Sequence, residues 1–473
     1  MHEKRPLVEA LEKFHSQKNI SFHVPGHKHG VLSNLPEVIK DALSYDLTEL
    51  KGLDDLHHPE EAIKEAEELL ASTFGAKKSY FLVNGTTVGN LAMLYATCQY
   101  GEQLIVQRNA HKSIFHAIEL VGVEPIFVTP EWDSRTKTTT FVSANTIKSA
   151  IEEFPLVKGV LLTYPTYYGM ASNEIKEIID YCHTKGIPVL VDEAHGAHFK
   201  ANSGFPLSAL DYGADIVVQS AHKTLPSMTM GSYLHMNSSI IKVSQVNKYL
   251  RMLQSSSPSY LLMASLDDAR SYVQRYNEMD FKQLIYKRDL FIQALQTIKL
   301  VEVIEVNDPL KLLIRVGSYS GFQVQQALEA QHVYAELADT YQVLIILPLL
   351  KKDQDYPFAE VRKRIKNAVD ELKKETPIIP KDIRNKSFKS VSTIEMNMSL
   401  LNEKKGEWVP YVRSIGRIAK GILIPYPPGV PLFIPGEKIT ISMLTELEEW
   451  IDKGATFQGD HRLDEKLIYV VED

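Results

Sequence analysis

Two short segments of the chain place a carboxylate and a lysine shortly after apolar runs. Asp192 follows the apolar run at 188–191, and Lys223 lies a few residues after the run at 216–218. Short continuous apolar runs of this kind predict buried strands of a parallel sheet. Ligands of open α/β sheets bind at the carboxyl ends of such strands. We therefore expect Asp192 and Lys223 to lie at the same edge of one sheet.

These two residue types suit the chemistry of pyridoxal phosphate. That cofactor needs a lysine to hold its aldehyde as a Schiff base and a carboxylate to keep its pyridine nitrogen protonated. Lys223 and Asp192 are the candidates for these roles, and a buried ion pair with Asp192 would maintain the charged ring. Each segment taken separately also occurs in other α/β proteins, including ATP-binding ones. The order and the matched positions of the two segments favour the cofactor site.

A third segment, NGTT at 84–87, follows a strand-like run at 79–83 and opens a run that is compatible with a helix. Free backbone N–H groups and the hydroxyls of Thr86 and Thr87 at a helix start suit a phosphate group. An ordinary N-cap, in which one of these threonines satisfies the first turn, is the simpler explanation of this loop taken alone. The loop is not a Walker loop, because no GK[ST] follows the glycines.

His111 lies just past another strand-like run, at 103–106. An imidazole at this position would either lie flat on a cofactor ring or act as an acid and base near neutral pH. A solitary loop histidine is more often merely solvated, so this assignment depends on the other segments.

The chain resembles the fold-type-I pyridoxal phosphate enzymes and, among them, the ornithine/lysine/arginine decarboxylases of the bacterial biosynthetic kind. The resemblance covers nearly the whole chain. The segments that carry it are FHVPGHK (22–28), GLDDLH (52–57), NGTT (84–87), RNAHKS (108–113), DEAHG (192–196), SAHK (220–223), SSSP (255–258) and YPPGVP (426–431). It implies an α/β fold in which a major domain with a mostly parallel, doubly wound sheet is joined to a smaller α+β C-terminal domain.

The resemblance also implies roles for individual residues. Lys223 would hold the cofactor, Asp192 would pair with the pyridine nitrogen, and His111 would stack on the ring. Further cofactor contacts are implied for Gly85, Thr86, Thr87, Ser220, His222 and His195, and for Ser256 in the 255–257 run, which would reach the phosphate of a neighbouring subunit. The last role requires a dimer.

The implied reaction is the decarboxylation of a basic amino acid. Arginine and lysine rank about equal as substrates, ahead of ornithine. Holding the α-carboxylate perpendicular to the ring plane would select loss of CO2 over transamination. His222 or the released Lys223 would then return a proton to Cα.

One acidic group should accept the cationic side chain of the substrate, and the candidates are Asp54, Asp55 and Glu193. Glu193 is equally consistent with a structural role, and the two aspartates are equally consistent with capping the following turn. Two other functions stay open: a fold-type-I aminotransferase or lyase, and a protein that binds the cofactor without turnover.

Composition and charge agree with a cytoplasmic enzyme. The 473 residues, 44% of them apolar, are enough for roughly three structural units of about 150 residues, and the net charge of −7 argues against nucleic acid as the main partner. Two cysteines without paired spacing suggest neither a disulfide framework nor a zinc site. The N-terminus lacks an apolar signal core, and the apolar stretch at 343–350 is far shorter than the roughly 20 residues of a membrane helix. We expect no metal site, since the histidines at 23, 27, 29, 57 and 58 show no ligand spacing.

The predicted organisation has four parts: an N-terminal arm at an interface (1–55), the cofactor-binding major domain (56–275), a small α+β domain (276–375) and a C-terminal domain (376–473). In the small domain, helical patterns at 281–298 and 358–374 flank strand-like runs at 301–306, 312–316 and 343–347. Unlike the large inducible decarboxylases, the chain has no room for a receiver-like domain. We therefore expect a homodimer or a modest multiple of dimers.

Overall fold

The structure is a computed structural model that describes residues 4–377, 389–426, 430–452 and 455–472. The chain divides into two compact units. The first contains Met1–Thr97 and Pro188–Glu278, and the second contains Cys98–Ile187 and Met279–Asp473.

The helices and strands of the described residues follow in chain order. The helices are α1 (Pro6–Ser16), α2 (Glu37–Ala42), α3 (Ala62–Phe74), α4 (Gly85–Thr97), α5 (Lys112–Val121), α6 (Ala144–Glu153), α7 (Glu174–Thr184), α8 (Ala221–Thr224), α9 (Val243–Leu253), α10 (Tyr260–Gln274), α11 (Glu278–Gln296), α12 (Gly321–Ala330), α13 (Phe358–Leu372), α14 (Met398–Glu403) and α15 (Ile441–Asp452). The strands are β1 (Lys78–Leu82), β2 (Gln103–Gln107), β3 (Glu124–Val128), β4 (Trp132–Asp133), β5 (Thr138–Thr139), β6 (Val160–Thr163), β7 (Val189–Asp192), β8 (Ile216–Gln219), β9 (Ser232–Met236), β10 (Val301–Glu305), β11 (Lys311–Val316), β12 (Leu337–Ala338), β13 (Val343–Ile346), β14 (Val391–Thr393), β15 (Gly406–Pro410), β16 (Leu423–Tyr426), β17 (Thr456–Gly459), β18 (His461–Arg462) and β19 (Leu467–Val471).

In the first unit, four strands lie in the order β1-β9-β8-β7. Strands β7 and β8 are parallel, and β9 runs antiparallel to both β8 and β1. The strands predicted at 188–191 and 216–218 are confirmed, each shifted by about one residue. Because β7 and β8 are parallel, Asp192 at the end of β7 and the segment after β8 lie at the same edge.

Helix α4 packs closely against this sheet because one of its residues has no side chain. A Cβ atom on Gly89 would lie 2.4 Å from Cγ1 of Val218 in β8, so any larger residue would push the helix away. The close approach brings the first turns of α4 next to the carboxyl ends of the strands. Gly85, the first residue of α4, has a φ of +76°, in the left-handed region that favours glycine.

The second unit contains strands in the order β6-β2-β3-β14. Strand β2 is parallel to both β6 and β3, whereas β14 is antiparallel to β3. The strand predicted at 103–106 is confirmed as β2. The loop that carries Arg108 and His111 follows β2 directly and leads into α5.

The rest of the second unit is built from smaller antiparallel sheets. One sheet has the order β10-β11-β13-β12, and helices α11, α12 and α13 lie between or beside its strands in sequence. The helices and strands predicted for this region are confirmed, with ends that differ by one to three residues. Two further sheets follow, β15-β19-β18 and β16-β17.

The predicted α/β class, with a smaller C-terminal α+β part, is confirmed. The predicted domain boundaries stay a prediction, and residues 427–429 of the YPPGVP segment lie outside the described residues. Within the described ranges, every helix is too short or too polar to cross a bilayer. No group of three or more His, Cys, Asp and Glu side chains in those ranges is placed to hold a metal ion.

Candidate active site

Asp192 is a buried carboxylate that has only neutral hydrogen-bond donors around it. Its side chain is at the end of β7, where the residue is 2% exposed. Oδ2 accepts a hydrogen bond from Nδ2 of Asn90 at 2.9 Å, and Oδ1 accepts one from the backbone N–H of Ala194 at 3.1 Å. In the part of the chain that the structure describes, no lysine, arginine or histidine forms an ion pair with Asp192.

This arrangement fits the ring of pyridoxal phosphate. A buried carboxylate is costly unless a positive charge or several hydrogen bonds compensate it. The two neutral donors each satisfy one carboxylate oxygen of Asp192 but bring no positive charge. A protonated pyridine nitrogen would supply the positive charge that these donors lack.

Lys223 lies in the short helix α8, directly after β8. Its Nζ is 3.0 Å from Nε2 of His195, which is buried in the loop after β7. The fold therefore brings together a primary amine and an imidazole that are 28 residues apart in the sequence. An amine held at the edge where Asp192 is buried is the group that would bond to the cofactor aldehyde.

Three buried hydroxyl groups cluster at the first turn of α4. Oγ1 of Thr86 is 2.5 Å from Oγ of Ser220 and 3.1 Å from Oγ of Ser232. Hydroxyls beside the N-terminal N–H groups of a 13-residue helix suit a phosphate, because both donate hydrogen bonds to anionic oxygens. Thr87, the neighbouring candidate, is exposed.

His222 has one ring nitrogen fixed by the backbone. Its Nδ1 is 3.0 Å from the carbonyl oxygen of Gly231. A carbonyl oxygen only accepts, so Nδ1 carries a proton and donates it to this bond. Any proton that His222 exchanges with a substrate would therefore pass through Nε2.

His111 caps the start of α5. Its Nδ1 accepts a hydrogen bond from the backbone N–H of Ser113 at 3.2 Å and lies 2.8 Å from Oγ of Ser113. The neutral ring therefore carries its proton on Nε2, and the cap fixes the direction of the imidazole. His111 belongs to the second compact unit, and its place on the cofactor ring stays a prediction.

Ser256 is exposed in the loop between α9 and α10. The neighbouring Ser255 lies beside His57, whose Nε2 is 2.8 Å from the carbonyl oxygen of Ser255. This contact holds the loop at the surface of the first unit. The predicted role of Ser256 toward a neighbouring subunit stays a prediction.

Glu193 is held by structural hydrogen bonds. Its carboxylate accepts bonds from Oγ of Ser208 at 2.8 Å, from the N–H of Ala209 at 2.6 Å and from Nε2 of Gln219 at 2.7 Å. Burial raises the pKa of Glu193 to about 8. These contacts support the structural interpretation of Glu193 rather than recognition of a substrate.

The carboxylate of Asp54 caps the chain that enters α3. It accepts bonds from the backbone N–H groups of Glu60 at 2.9 Å, Glu61 at 2.8 Å and Ile63 at 2.9 Å. Asp55 accepts a bond from the backbone N–H of His57 at 2.7 Å. Both aspartates thus act as turn caps, the alternative that the sequence left open.

Two residues of the site were not identified from the sequence, Asn90 and Ser232. Asn90 lies one helical turn after Thr86 on α4, so the same helix face carries the Thr86 hydroxyl and the amide that contacts Asp192. A buried asparagine within an otherwise apolar helical run was the available signal. No comparable signal marks Ser232.

Comparison with known proteins gives consistent results. A family model described as Orn/Lys/Arg decarboxylase, major domain, matches residues 5–307, and one described as Orn/Lys/Arg decarboxylase, C-terminal domain, matches residues 381–460. The chain is 44% identical over 482 residues to the uncharacterized protein YaaO of Bacillus subtilis (strain 168), covering 99% of both chains. It is 34% identical over 490 residues to the arginine decarboxylase of the same strain, covering 99% of this chain and 98% of the relative.

The solved structures agree on the fold. The constitutive lysine decarboxylase of Escherichia coli superposes with a TM-score of 0.79 at 19% identity, covering 99% of this chain and 82% of that one. The lysine decarboxylase LdcF of Francisella novicida gives a TM-score of 0.78 at 21% identity, covering 100% of this chain and 81% of that one.

Proposed function

Because the chain belongs to the Orn/Lys/Arg decarboxylase family, we propose that it removes the α-carboxylate of arginine and releases agmatine and CO2. The protein is a pyridoxal phosphate-dependent amino acid decarboxylase. The observation that carries the residue assignments is Asp192, a buried carboxylate with neutral donors only, at the strand edge that also bears Lys223.

The preference for arginine rests on the relatives. Four relatives named arginine decarboxylases are each at least 32% identical to this chain. Relatives named lysine decarboxylases reach 24%. Lysine is the second candidate, and ornithine the third.

We assign different parts of the cofactor to different residues of the first unit. Lys223 would bond to the aldehyde carbon, and Asp192 would keep a positive charge on the pyridine nitrogen. Thr86 and Ser220 would donate hydrogen bonds to the phosphate, with Gly85, Thr87, Ser232 and His222 next to them. The bound cofactor supplies an electron sink for the pair released when the bond from Cα to the carboxylate breaks.

After CO2 leaves, Cα needs a proton. His222 is our proposed donor, because it directly precedes Lys223 and the carbonyl of Gly231 fixes its ring through Nδ1. The amine of Lys223 is the alternative donor. His195, 3.0 Å from that amine, would keep it oriented.

We also propose that two copies of the chain form the working enzyme. The arm at 1–55 exposes large apolar side chains, among them Ile20 at 88%, Phe22 at 96% and Val38 at 86%. A concentration of large exposed apolar side chains in one segment favours an interaction site. A second copy that covers the arm would also satisfy the predicted role of Ser256. A cytoplasmic location is proposed as well, since Cys98 and Cys182 are not joined in a disulfide.

The experiment that tests this function measures CO2 release from carboxyl-labelled arginine, lysine and ornithine, each assayed separately with cofactor-loaded protein. We expect kcat/KM to be highest for arginine. A higher value for lysine would move the assignment to the second candidate. Keto acid formation without CO2 would instead support an aminotransferase.

A further inference from the structure

A fully buried ion pair joins the loop before α5 to the C-terminal part of the second unit. The guanidinium of Arg108 donates two hydrogen bonds to Glu437, from Nη1 to Oε1 at 2.6 Å and from Nη2 to Oε2 at 2.8 Å. The two side chains are 2% and 6% exposed. Nη2 also donates to the carbonyl of Leu432 at 3.4 Å.

Hydrogen bonds to other residues also hold Glu437 in place. Its Oε2 accepts a bond from the N–H of Ile434 at 3.1 Å, and its backbone carbonyl accepts one from Ala419 at 2.8 Å. The backbone N–H of Arg108 donates to Val128 at the end of β3 at 2.9 Å. The ion pair therefore connects the start of the loop after β2 to a segment 329 residues away that has its own hydrogen bonds.

The loop after Arg108 is short and tightly bonded. Nδ2 of Asn109 lies 3.4 Å from Oγ1 of Thr139, and its Oδ1 accepts from Gln107 at 2.7 Å. His111 comes next and caps α5. A shift of the Arg108 backbone would consequently move His111.

A stability role alone does not account for this pair. Replacing a buried ion pair by apolar groups of similar volume is often neutral or stabilising, so such a pair is weak evidence for stability. Two parallel hydrogen bonds between planar groups do, however, define the orientation of the two groups and the distance between them.

We propose that Glu437 is a positioning residue for His111. It holds Arg108, and through Arg108 the 108–111 loop, and so fixes the direction of the imidazole. This inference rests on the proposed function and on the cofactor contact that the sequence predicts for His111. It assigns to the C-terminal segment a part in shaping the site that no sequence motif indicated.

The first test uses the protein without cofactor, so it does not depend on activity. Hydrogen–deuterium exchange of residues 108–113 is compared between the wild type and Glu437→Gln, with Glu407→Gln as the control. Glu407 forms an ion pair with Arg417 in the same C-terminal part. We expect exchange in 108–113 to rise by about tenfold in Glu437→Gln and to stay unchanged in Glu407→Gln. If Glu437→Gln fails to fold, Glu437→Asp keeps the charge and shortens the reach, and the same increase is expected.

The second test asks whether Glu437 acts through His111. The dissociation constant of pyridoxal phosphate and kcat/KM are measured for Glu437→Gln, His111→Ala and the double variant. We expect the double variant to match His111→Ala, because the loop has nothing left to position. Independent, multiplying effects, or unchanged exchange in both Glu437 variants, would overturn the inference. If the wild type binds the cofactor but produces no amine, the proposed function fails while the exchange and binding data still decide this inference.

Discussion

Nζ of Lys223 and Nε2 of His195 are 3.0 Å apart, although the two residues follow different strands. The contact forms because β7 and β8 are parallel neighbours, so the segments after them leave the sheet at the same edge. Asp192 ends the first of these strands. One pair of strands thus positions both Lys223 and Asp192, the amine and the carboxylate that we propose for the cofactor.

Replacing Asp192 by Asn tests the proposed charge at the pyridine nitrogen. The amide keeps the size of the side chain but removes the negative charge, so we expect kcat to fall at least roughly 100-fold. Asp211→Asn, which removes a carboxylate paired with Lys200 at the surface of the same unit, is the control and should keep full activity. Steady-state kinetics with arginine measure kcat for the wild type and both variants. An Asp192→Asn enzyme within a few-fold of wild type would contradict the assignment.

Replacing Thr86 by Val removes one hydroxyl from the proposed phosphate cradle and preserves the shape. We expect the dissociation constant of pyridoxal phosphate to rise by about tenfold, the effect of losing one hydrogen bond to a charged group. Thr97→Val, at the other end of α4, removes a hydroxyl that donates to the carbonyl of Met93. Cofactor titration should give this control the wild-type constant. Equal constants for all three proteins would exclude Thr86 from the phosphate site.

Glu67 on α3 should make stability depend on pH. Burial raises its pKa from 4.5 to about 8, and its Oε1 accepts a bond from the N–H of Phe81 at 3.1 Å. Between pH 4.5 and about pH 8, the Glu67 carboxyl keeps its proton in the folded protein and has lost it in the unfolded chain. The free energy of unfolding therefore falls as the pH rises from 4.5 toward about 8.

The neutral Glu67→Gln variant lacks this dependence. The thermal midpoint of Glu67→Gln, measured relative to that of the wild type, should therefore rise by roughly 5 °C between pH 5 and pH 9. Glu68→Gln, an exposed neighbour on α3, should show a constant difference. A constant difference for Glu67→Gln as well would mean that its carboxyl is ionised throughout this range.

The exposed arm should control association. Phe22→Ser and Val38→Ser remove apolar side chains that are 96% and 86% exposed in the single chain. If a second copy covers them, each change should weaken the dimer by about tenfold, as expected for losing a buried apolar side chain. Sedimentation velocity over a range of concentrations measures this, with Leu156→Ser as a control outside the arm. A wild type that sediments as a monomer at all concentrations would refute the dimer.

The sequence predicted that Asp192 and Lys223 lie at one sheet edge, because apolar runs of strand length end shortly before them and parallel strands share an edge. Their roles toward the cofactor stay predictions. Hydrogen-bond partners were not predictable in the same way. Glu193 follows Asp192 directly, yet it bonds to Ser208 and Gln219, because side chains alternate direction at a strand end.

Two further features could not be predicted from the sequence, for a different reason. They are the contacts of α4 and the pairing of Arg108 with Glu437. The close packing of α4 on the sheet at Gly89, where a Cβ atom would lie 2.4 Å from Val218, accompanies the contact of Asn90 with Asp192, and neither is visible in the sequence. Arg108 and Glu437 are 329 residues apart, and only the folded chain shows that they are partners.

The most direct measurement of the central claim is mass spectrometry of the products after cofactor-loaded protein is incubated with arginine, lysine and ornithine together. Lys223→Ala serves as the blank, and Lys200→Ala, which removes a partly buried lysine that pairs with Asp211 in the same unit, as the positive control. The account predicts agmatine as the main product with the wild type and Lys200→Ala, and a yield at least roughly 10³-fold lower with Lys223→Ala. Equal amine yields with and without Lys223, or no amine from the wild type with any of the three amino acids, would contradict it.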